Sequence, residues 1–370
     1  MSKNLNWSRL FGTLIVIITI AAVVIVFSLN RNRNSEEIKI GVVGPFSGPI
    51  AFFGEDMMQA MDLAVEEVNS KGGVNNKKIK FIYEDADTLE LSKLLTGLNK
   101  LKNVDNVVAI LGPFSGSANK IAGDFSKQNK IFMISPGDNF GKLSPYKFNT
   151  RYLLDTEAEL LTGYALKQGW KKVAILYFNN DWGLQYRDTI KKEIENAGGE
   201  LVGAETYDYS NLDVSTQLLK LKSANPDVIV IIDSTRGQLF KQAKELGITT
   251  SLLSEWEVET ALNEFGDALE GVVYALPVTE ETEFYRNFRE RYNEEPNVIN
   301  LDSYDSVMIL VEALENCENY NVECMSNYVS DLKDYRGAGG VMSFDKKTWS
   351  FDKPFVMKTI KDGTPVVLED

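Results

Sequence analysis

IKIGVVGPFSGPIAFFGEDMMQAMDLAVEEVNSKGG, residues 38–73, holds the pattern that decides the fold. Residues 38–43 form an apolar run rich in Ile and Val, as a buried strand requires. A turn of Gly, Pro, Phe, Ser and Gly follows at 44–48, and then Met57, Met58, Met61, Leu63, Ala64 and Val68 recur along one helical face. Gly72 and Gly73 mark the helix end, and a second β-type run begins at Ile79. Strand, amphipathic helix and strand in this order form a βαβ unit, in which the helix carries the chain back so that the two strands lie parallel.

The unit repeats along the chain. Further β-type runs fall at 107–111 and 131–134, with a helical face of Leu91, Leu94, Leu95, Leu98 and Leu101 among them. From residue 173 the plan starts again, with strands at 173–178, 201–207, 228–232 and 251–253 and helices near 184–197, 214–224 and 238–246. Residues 228–232 are apolar on both faces, which suits strands covered by helices on each side. After Gly271 come a strand at 272–277, helices near 283–292, 302–315 and 325–332, and a β-type tail punctuated by Gly337, Gly339 and Gly340. A single core rarely grows past about 250–300 residues, so a 370-residue chain with this alternation reads as two α/β lobes.

Composition narrows the function. Hydrophobic residues make up 44% and charged residues 25%, which fits a globular protein. The formal net charge of −14 repels phosphate backbones, so nucleic acid is an unsuitable partner. The chain has no histidine, which removes Ser-His-Asp and Cys-His catalysis and imidazole zinc sites. The GPFSG turns at 44–48 and 112–116 lack the Lys-Ser/Thr of a phosphate loop, and the second is not a GxSxG elbow. Each follows a strand and opens a helix, where open α/β sheets place ligands and where free amides favour a carboxylate. Ordinary βα turn chemistry also accounts for their Gly, Pro and Ser.

Two features bear on compartment. Residues 10–29 carry no charge and are long enough to cross the ~30 Å hydrocarbon core as a helix. The run exceeds the about 7–15 apolar residues of a cleaved signal, so it reads as an uncleaved signal anchor. Cys317 and Cys324 flank the polar stretch 318–323. They suit either a small disulfide loop in an oxidising compartment or two free thiols in a reducing one.

The motifs also carry a resemblance. GVVGPFSGPIAFFG (41–54), YEDAD (83–87), LGPFSG (111–116), ISP (134–136), DWG (181–183), GQLFKQAKELG (237–247) and Tyr304-Asp305 stand in the order and spacing of the leucine/isoleucine/valine-binding protein family. The chain from Ile38 onward resembles these type I periplasmic solute receptors of ABC importers. The resemblance implies two Rossmann-like lobes with parallel sheets, joined by three hinge crossovers near 149–156, 275–280 and 337–344. Lobe 1 would hold 38–148 and 278–336, lobe 2 would hold 149–277 and 337–370, and 1–37 would supply the stub, transmembrane anchor and linker. An amino acid or related small polar molecule would lie between the lobes, and a partner permease would recognise the closed form. The binding domain would then lie outside the cytoplasm, anchored in the membrane by its N-terminal helix.

Carried over position by position, the resemblance implies that Ser115 and Ser117 sit in the loop holding the ligand carboxylate. Gly137 would offer backbone contacts, and Asn139 would stand where the family often has a hydroxyl. Glu255 would pair with the ligand ammonium, and Phe53 and Trp182 would close over the ligand. Asp138 and Asp233 depart from the family's pattern, and two extra carboxylates suit a ligand with a second cationic or strongly polar group. No catalytic residue, cofactor or metal is implied. Two other classes keep a place: a ligand-binding sensor domain of a membrane signalling system and, less favoured, a carboxylate-based α/β enzyme.

Overall fold

The computed structural model describes residues 37–86 and 91–369. The apolar stretch 10–29, expected to be a transmembrane anchor, lies outside the described residues. Among the described residues no helix is long and apolar enough to cross a membrane.

The first lobe is built on β1 (Ile38–Gly44), β2 (Ile79–Asp85), β3 (Ala109–Leu111), β4 (Phe132–Ser135) and β5 (Lys147–Asn149), in the order β2-β1-β3-β4-β5. All neighbours are parallel, with Val42 of β1 opposite Tyr83 on one side and Leu111 on the other. Helices α1 (Ala51–Ser70), α2 (Leu91–Lys100) and α3 (Gly116–Asn129) make the crossovers. On α1 the buried face runs through Phe53, Met57, Met61, Ala64 and Val68, the spacing of three and four that one helical stripe demands.

The second lobe repeats the scheme with α4 (Leu154–Lys167), β6 (Lys172–Phe178), α5 (Asp181–Asn196), β7 (Glu200–Tyr207), α6 (Ser215–Ser223), β8 (Val228–Ile231), α7 (Gln238–Glu245), β9 (Ser251–Ser254), α8 (Leu262–Leu269) and β10 (Val273–Pro277). The chain then returns to the first lobe with α9 (Glu283–Tyr292), α10 (Val298–Asn316) and α11 (Val322–Ser330). Helix α10 lies along α1, where Asn300 Nδ2 donates to Asp56 O at 2.8 Å and Tyr304 Oη donates to Glu67 at 2.7 Å. The Cys317–Cys324 pair is bonded, with Cα atoms 5.8 Å apart, and clips the end of α10 to the start of α11.

The tail departs from expectation. Strands β11 (Tyr335–Gly337), β12 (Gly340–Asp345) and β13 (Ser350–Asp352) form a small antiparallel sheet on the first lobe, where a return to the second lobe was expected at 337–344. Aromatic burial holds them there. The rings of Phe344 and Trp349 lie 5.4 and 5.2 Å from that of Phe148, and Trp349 Nε1 donates to Lys147 O at 3.0 Å. Only after 353–354 does the chain rejoin the second sheet, as β14 (Phe355–Lys361) and β15 (Thr364–Val367). That sheet runs β15-β14-β10-β9-β8-β6-β7, parallel except for its two antiparallel edge strands.

Phe148 is fully buried and touches rings from both β4 and the tail. Truncation of such a side chain costs about 3–5 kcal/mol. Phe148→Ala is therefore expected to lower unfolding stability by about that amount in denaturant titrations, and a loss within about 0.5 kcal/mol would refute the assigned role of this cluster.

Candidate functional site

Strands β1, β3 and β4 of the first lobe and β6, β8 and β9 of the second end in loops that face one another across the gap between the sheets. A cavity of about 90 Å³ lies there and takes its lining from both lobes. Phe53, Phe114, Phe178, Trp182 and Trp256 supply aromatic walls. Ser115, Ser117, Asp138, Arg151 and Glu257 supply most of the polar lining. Apolar walls with a few placed polar groups are what a small-molecule site needs.

Five of the residues singled out from sequence meet at this cavity. Phe53 stacks on Phe114 with centroids 4.8 Å apart, and Trp182 meets Tyr186 edge to face at 5.6 Å. Ser115 stands at the N-cap of α3, and its buried Oγ has no partner within the protein. Ser117 Oγ donates across the gap to Asp181 Oδ2 at 3.2 Å. Asp138 Oδ2 accepts from the Gly116 amide at 3.0 Å.

The other four do not line the cavity, and each has a local reason. Gly137 lets two loops pack: a Cβ there would lie 1.7 Å from Phe114 O. Its amide donates to Ser135 Oγ at 3.0 Å and its carbonyl accepts from Asn149 Nδ2 at 2.9 Å, so both main-chain groups are engaged inside the lobe. Asn139 donates to Arg151 O at 3.0 Å and accepts from the Gly141 amide at 2.9 Å, which fixes the entry to the first crossover. Asp233 accepts from Thr235 N and Oγ1 at 2.8 and 2.6 Å and from Gly237 N at 2.6 Å, so it shapes the turn into α7. Glu255 is fully buried behind the cavity wall, where its Oε2 accepts from the Glu257 amide at 3.1 Å.

Sequence reasoning missed Arg151 and Glu257. Glu257 lies two residues from Glu255 on a 3₁₀ turn, Trp256–Ala261, and that turn decides which of the two carboxylates faces the cavity. Arg151 lies in a connecting segment, where an arginine reads as solvated, yet it is buried with its guanidinium 4.9 Å from the Trp256 ring centroid.

The cleft concentrates buried charge. Glu157, behind the Trp256 turn, accepts from Tyr186 Oη at 2.6 Å, Tyr152 Oη at 2.8 Å and Trp256 N at 3.2 Å. Even so, burial raises its carboxyl above the ordinary range. Glu255 and Glu257 are pushed well above it, first by burial and then by repulsion from Glu257 and Asp233 respectively. Burial works against the charge of Arg151, and Tyr152, Asp302, Asp138 and Glu157 around it more than offset that. At the mouth, Arg236 Nη2 of the second lobe meets Asp56 Oδ2 of the first at 2.6 Å, and Lys120 Nζ meets Asp181 Oδ2 at 3.0 Å.

Burial lifts the Asp138 carboxyl from 3.8 to about 6, against the pull of Arg151 and of the Gly116 amide. The folded state thus holds this proton more tightly than the unfolded chain, so stability falls as pH rises through this interval and stays reduced above it. The difference corresponds to about 3 kcal/mol. Asp138→Asn keeps an acceptor for Gly116 and cannot ionise. It should be more stable than the parent at pH 7.5 by up to about 3 kcal/mol, with the gap closing toward pH 4 in paired denaturant melts. A variant destabilised equally at both pH values would contradict this.

Residues 37–364 match the periplasmic binding protein family. The leucine-, isoleucine-, valine-, threonine- and alanine-binding protein of Pseudomonas aeruginosa is 24% identical over 344 residues, covering 88% of this chain and 91% of that protein. Among solved structures, the branched-chain amino acid transporter substrate-binding protein LivJ of Streptococcus pneumoniae, in complex with isoleucine, superposes with a TM-score of 0.79 at 24% identity, covering 90% of this chain and 99% of its own. A solute-binding protein of an ABC transporter from R. palustris, in complex with benzoate, gives 0.82 at 17% identity over 90% and 95% of the two chains. These relatives are binding proteins rather than enzymes. Two parallel α/β sheets, a cavity lined from both, and a family match over nearly the whole described chain place this protein in the periplasmic binding protein family, with the type I fold.

Proposed function

We propose that this chain is the extracytoplasmic solute-binding receptor of an ABC importer, taking an amino acid or a related small polar molecule between its lobes and presenting the closed form to a permease. The observation that carries this reading is the cavity itself: both lobes line it, and the unpartnered Ser115 Oγ stands at its edge on the N-cap of α3. In this reading Phe53 and Trp182 cover the ligand from opposite lobes, and Ser115 and Ser117 contact its polar end. Glu255 acts from behind, by holding the Glu257 turn. The apolar stretch 10–29 tethers the receptor on the outer side of the membrane, a reading that rests on sequence alone.

The moving bodies are residues 38–149 with 283–352, and residues 154–277 with 355–369. They pivot on the three crossings at 150–153, 278–282 and 353–354. Ligand binding shifts such an equilibrium only as far as the ligand prefers the closed state. The Arg236–Asp56 pair stabilises closure from the protein side, so Arg236→Ala should give the ligand-free protein a larger radius of gyration in X-ray scattering. An unchanged radius would remove the pair from the mechanism.

The direct test is a thermal-shift panel of amino acids, small amides, amines and aromatic acids against the refolded, ligand-stripped protein. A ligand at about 100 times its Kd adds about 2.7 kcal/mol, and Ser115→Ala should weaken it by up to about tenfold, the worth of one hydrogen bond. No shift with any member of the panel would count against the receptor reading.

A further inference from the structure

We infer that the hinge carries a proton-operated catch: Asp305, buried where the three crossings meet, favours the closed lobes when protonated and releases them when ionised. The inference rests on the pivoting described above and goes beyond it. One stretch of α10 holds all three crossings. The Asp302 carbonyl accepts from Thr150 Oγ1 of the first crossing at 2.8 Å, and Asp302 Oδ1 accepts from Lys353 Nζ of the third at 2.5 Å. Three residues along the helix, Asp305 Oδ1 accepts from the Ala338 amide at 2.6 Å. The second crossing is bonded to that same segment, with Thr282 Oγ1 donating to Ala338 O at 2.6 Å and the Glu280 amide to Gly339 O at 3.0 Å. The segment passes so near that a Cβ on Gly337 would lie 2.5 Å from Asp305 Oδ2.

Charge makes this joint sensitive to pH. Asp302, Asp305 and Lys353 line one cavity of about 20 Å³, walled by α10 and residues 339–342 on the first lobe and by 277–279 and Pro354 at the crossings. Both carboxyl groups are buried, and Asp302 Oδ2 has no hydrogen-bond partner within the protein. Lys353 is the cation on this wall and is paired with Asp302, so an ionised Asp305 adds negative charge beside a carboxylate that already holds it. Tyr304 of α10 and Tyr335 of β11 also face Asp305, and burial lifts both phenols above their ordinary range, so they stay uncharged. Behind these rings Glu67 accepts from Tyr304 and Glu312 from Tyr328, and exposed Glu280 of the second crossing lies beside Gly340. Burial lifts the Asp305 carboxyl from 3.8 to about 7, against the pull of Lys353 and the Ala338 amide. As the lobes pivot, the crossings turn against α10 and admit water to the cavity, where ionisation costs less. The closed form therefore holds the proton more tightly, and its advantage is lost as pH rises through about 7.

X-ray scattering of the purified full-length protein, stripped of carried ligand, reads the lobe equilibrium at pH 6.5 and 8.5, an interval above the value of about 6 to which Asp138 is lifted. The parent should have the larger radius of gyration at pH 8.5. Asp305→Asn keeps an acceptor for Ala338 and cannot ionise, so it should lose most of that change. Hydrogen exchange of residues 278–282, corrected for the intrinsic rate, reads the same event locally and needs no variant. Each unit by which the carboxyl pKa differs between the two conformations changes their ratio about tenfold, so protection of this segment in the parent should fall by about tenfold or more. A parent whose radius and protection stay constant across the interval overturns the inference, as does a folded Asp305→Asn that keeps the parent's response. Arg236→Ala separates the two readings. If it enlarges the radius while pH does not, the hinge inference fails alone; if neither does, the pivoting of the lobes falls with it.

Discussion

Three short crossings carry all the covalent continuity between the lobes, and one buried residue ties two of them together. Asp302, on the first turns of α10, accepts from Lys353 Nζ at 2.5 Å in the third crossing, and its carbonyl accepts from Thr150 Oγ1 at 2.8 Å in the first. The second and third crossings are joined directly, with the Val278 amide donating to Pro354 O at 2.8 Å. A buried ion pair contributes little net stability, because desolvation offsets its attraction, but it fixes where its partners must sit. With the crossings tied together at one edge, the lobes can pivot only about that edge, and in this structure their strand-end loops stand in a facing relation. That relation brings Arg236 to Asp56 and Ser117 to Asp181.

The same relation gathers charge that folding alone would not favour. Glu157 has two tyrosine hydroxyls and an amide to satisfy it, so its position is explained within the protein. Glu257 lacks an equivalent partner for Oε2, and Asp138 keeps a raised carboxyl despite Arg151 and the Gly116 amide. Departures from internal satisfaction concentrate where a protein does its work. The Trp256–Ala261 turn is the structural reason here: it holds Glu255 inside and turns Glu257 toward the gap.

The order of strands and helices was legible because β1, β6 and β8 are apolar on both faces and the helices between them carry clear stripes. Element α4 was not, since its buried positions include Glu157 and Thr162 and so blur the stripe. Neither was β5, whose Lys147 and Asn149 are buried through tertiary contacts that no local pattern records. At the site, Ser115 could be read from its place after a strand, and Asp138 from its departure from the family's pattern. Arg151 and Glu257 could not, because their roles arise from a crossover and a 3₁₀ turn whose paths are set by both lobes. The third crossing was misplaced for a related reason: Phe344 and Trp349 look like ordinary strand residues until Phe148, nearly two hundred positions earlier, is brought beside them.

The interleaved tail also governs the order in which the molecule can be completed. A ribosome delivers the chain from its amino end, and most multi-lobed proteins use that order to finish one core before starting the next. Here the first lobe waits for α9 through β13, and the second waits for β14 and β15. Until those strands emerge, β10 presents an open, apolar edge at Val273–Pro277, a ready template for pairing with other chains. The nascent protein therefore has no completed half in which to shelter, and its period of greatest exposure to aggregation lasts until β14 and β15 have been made.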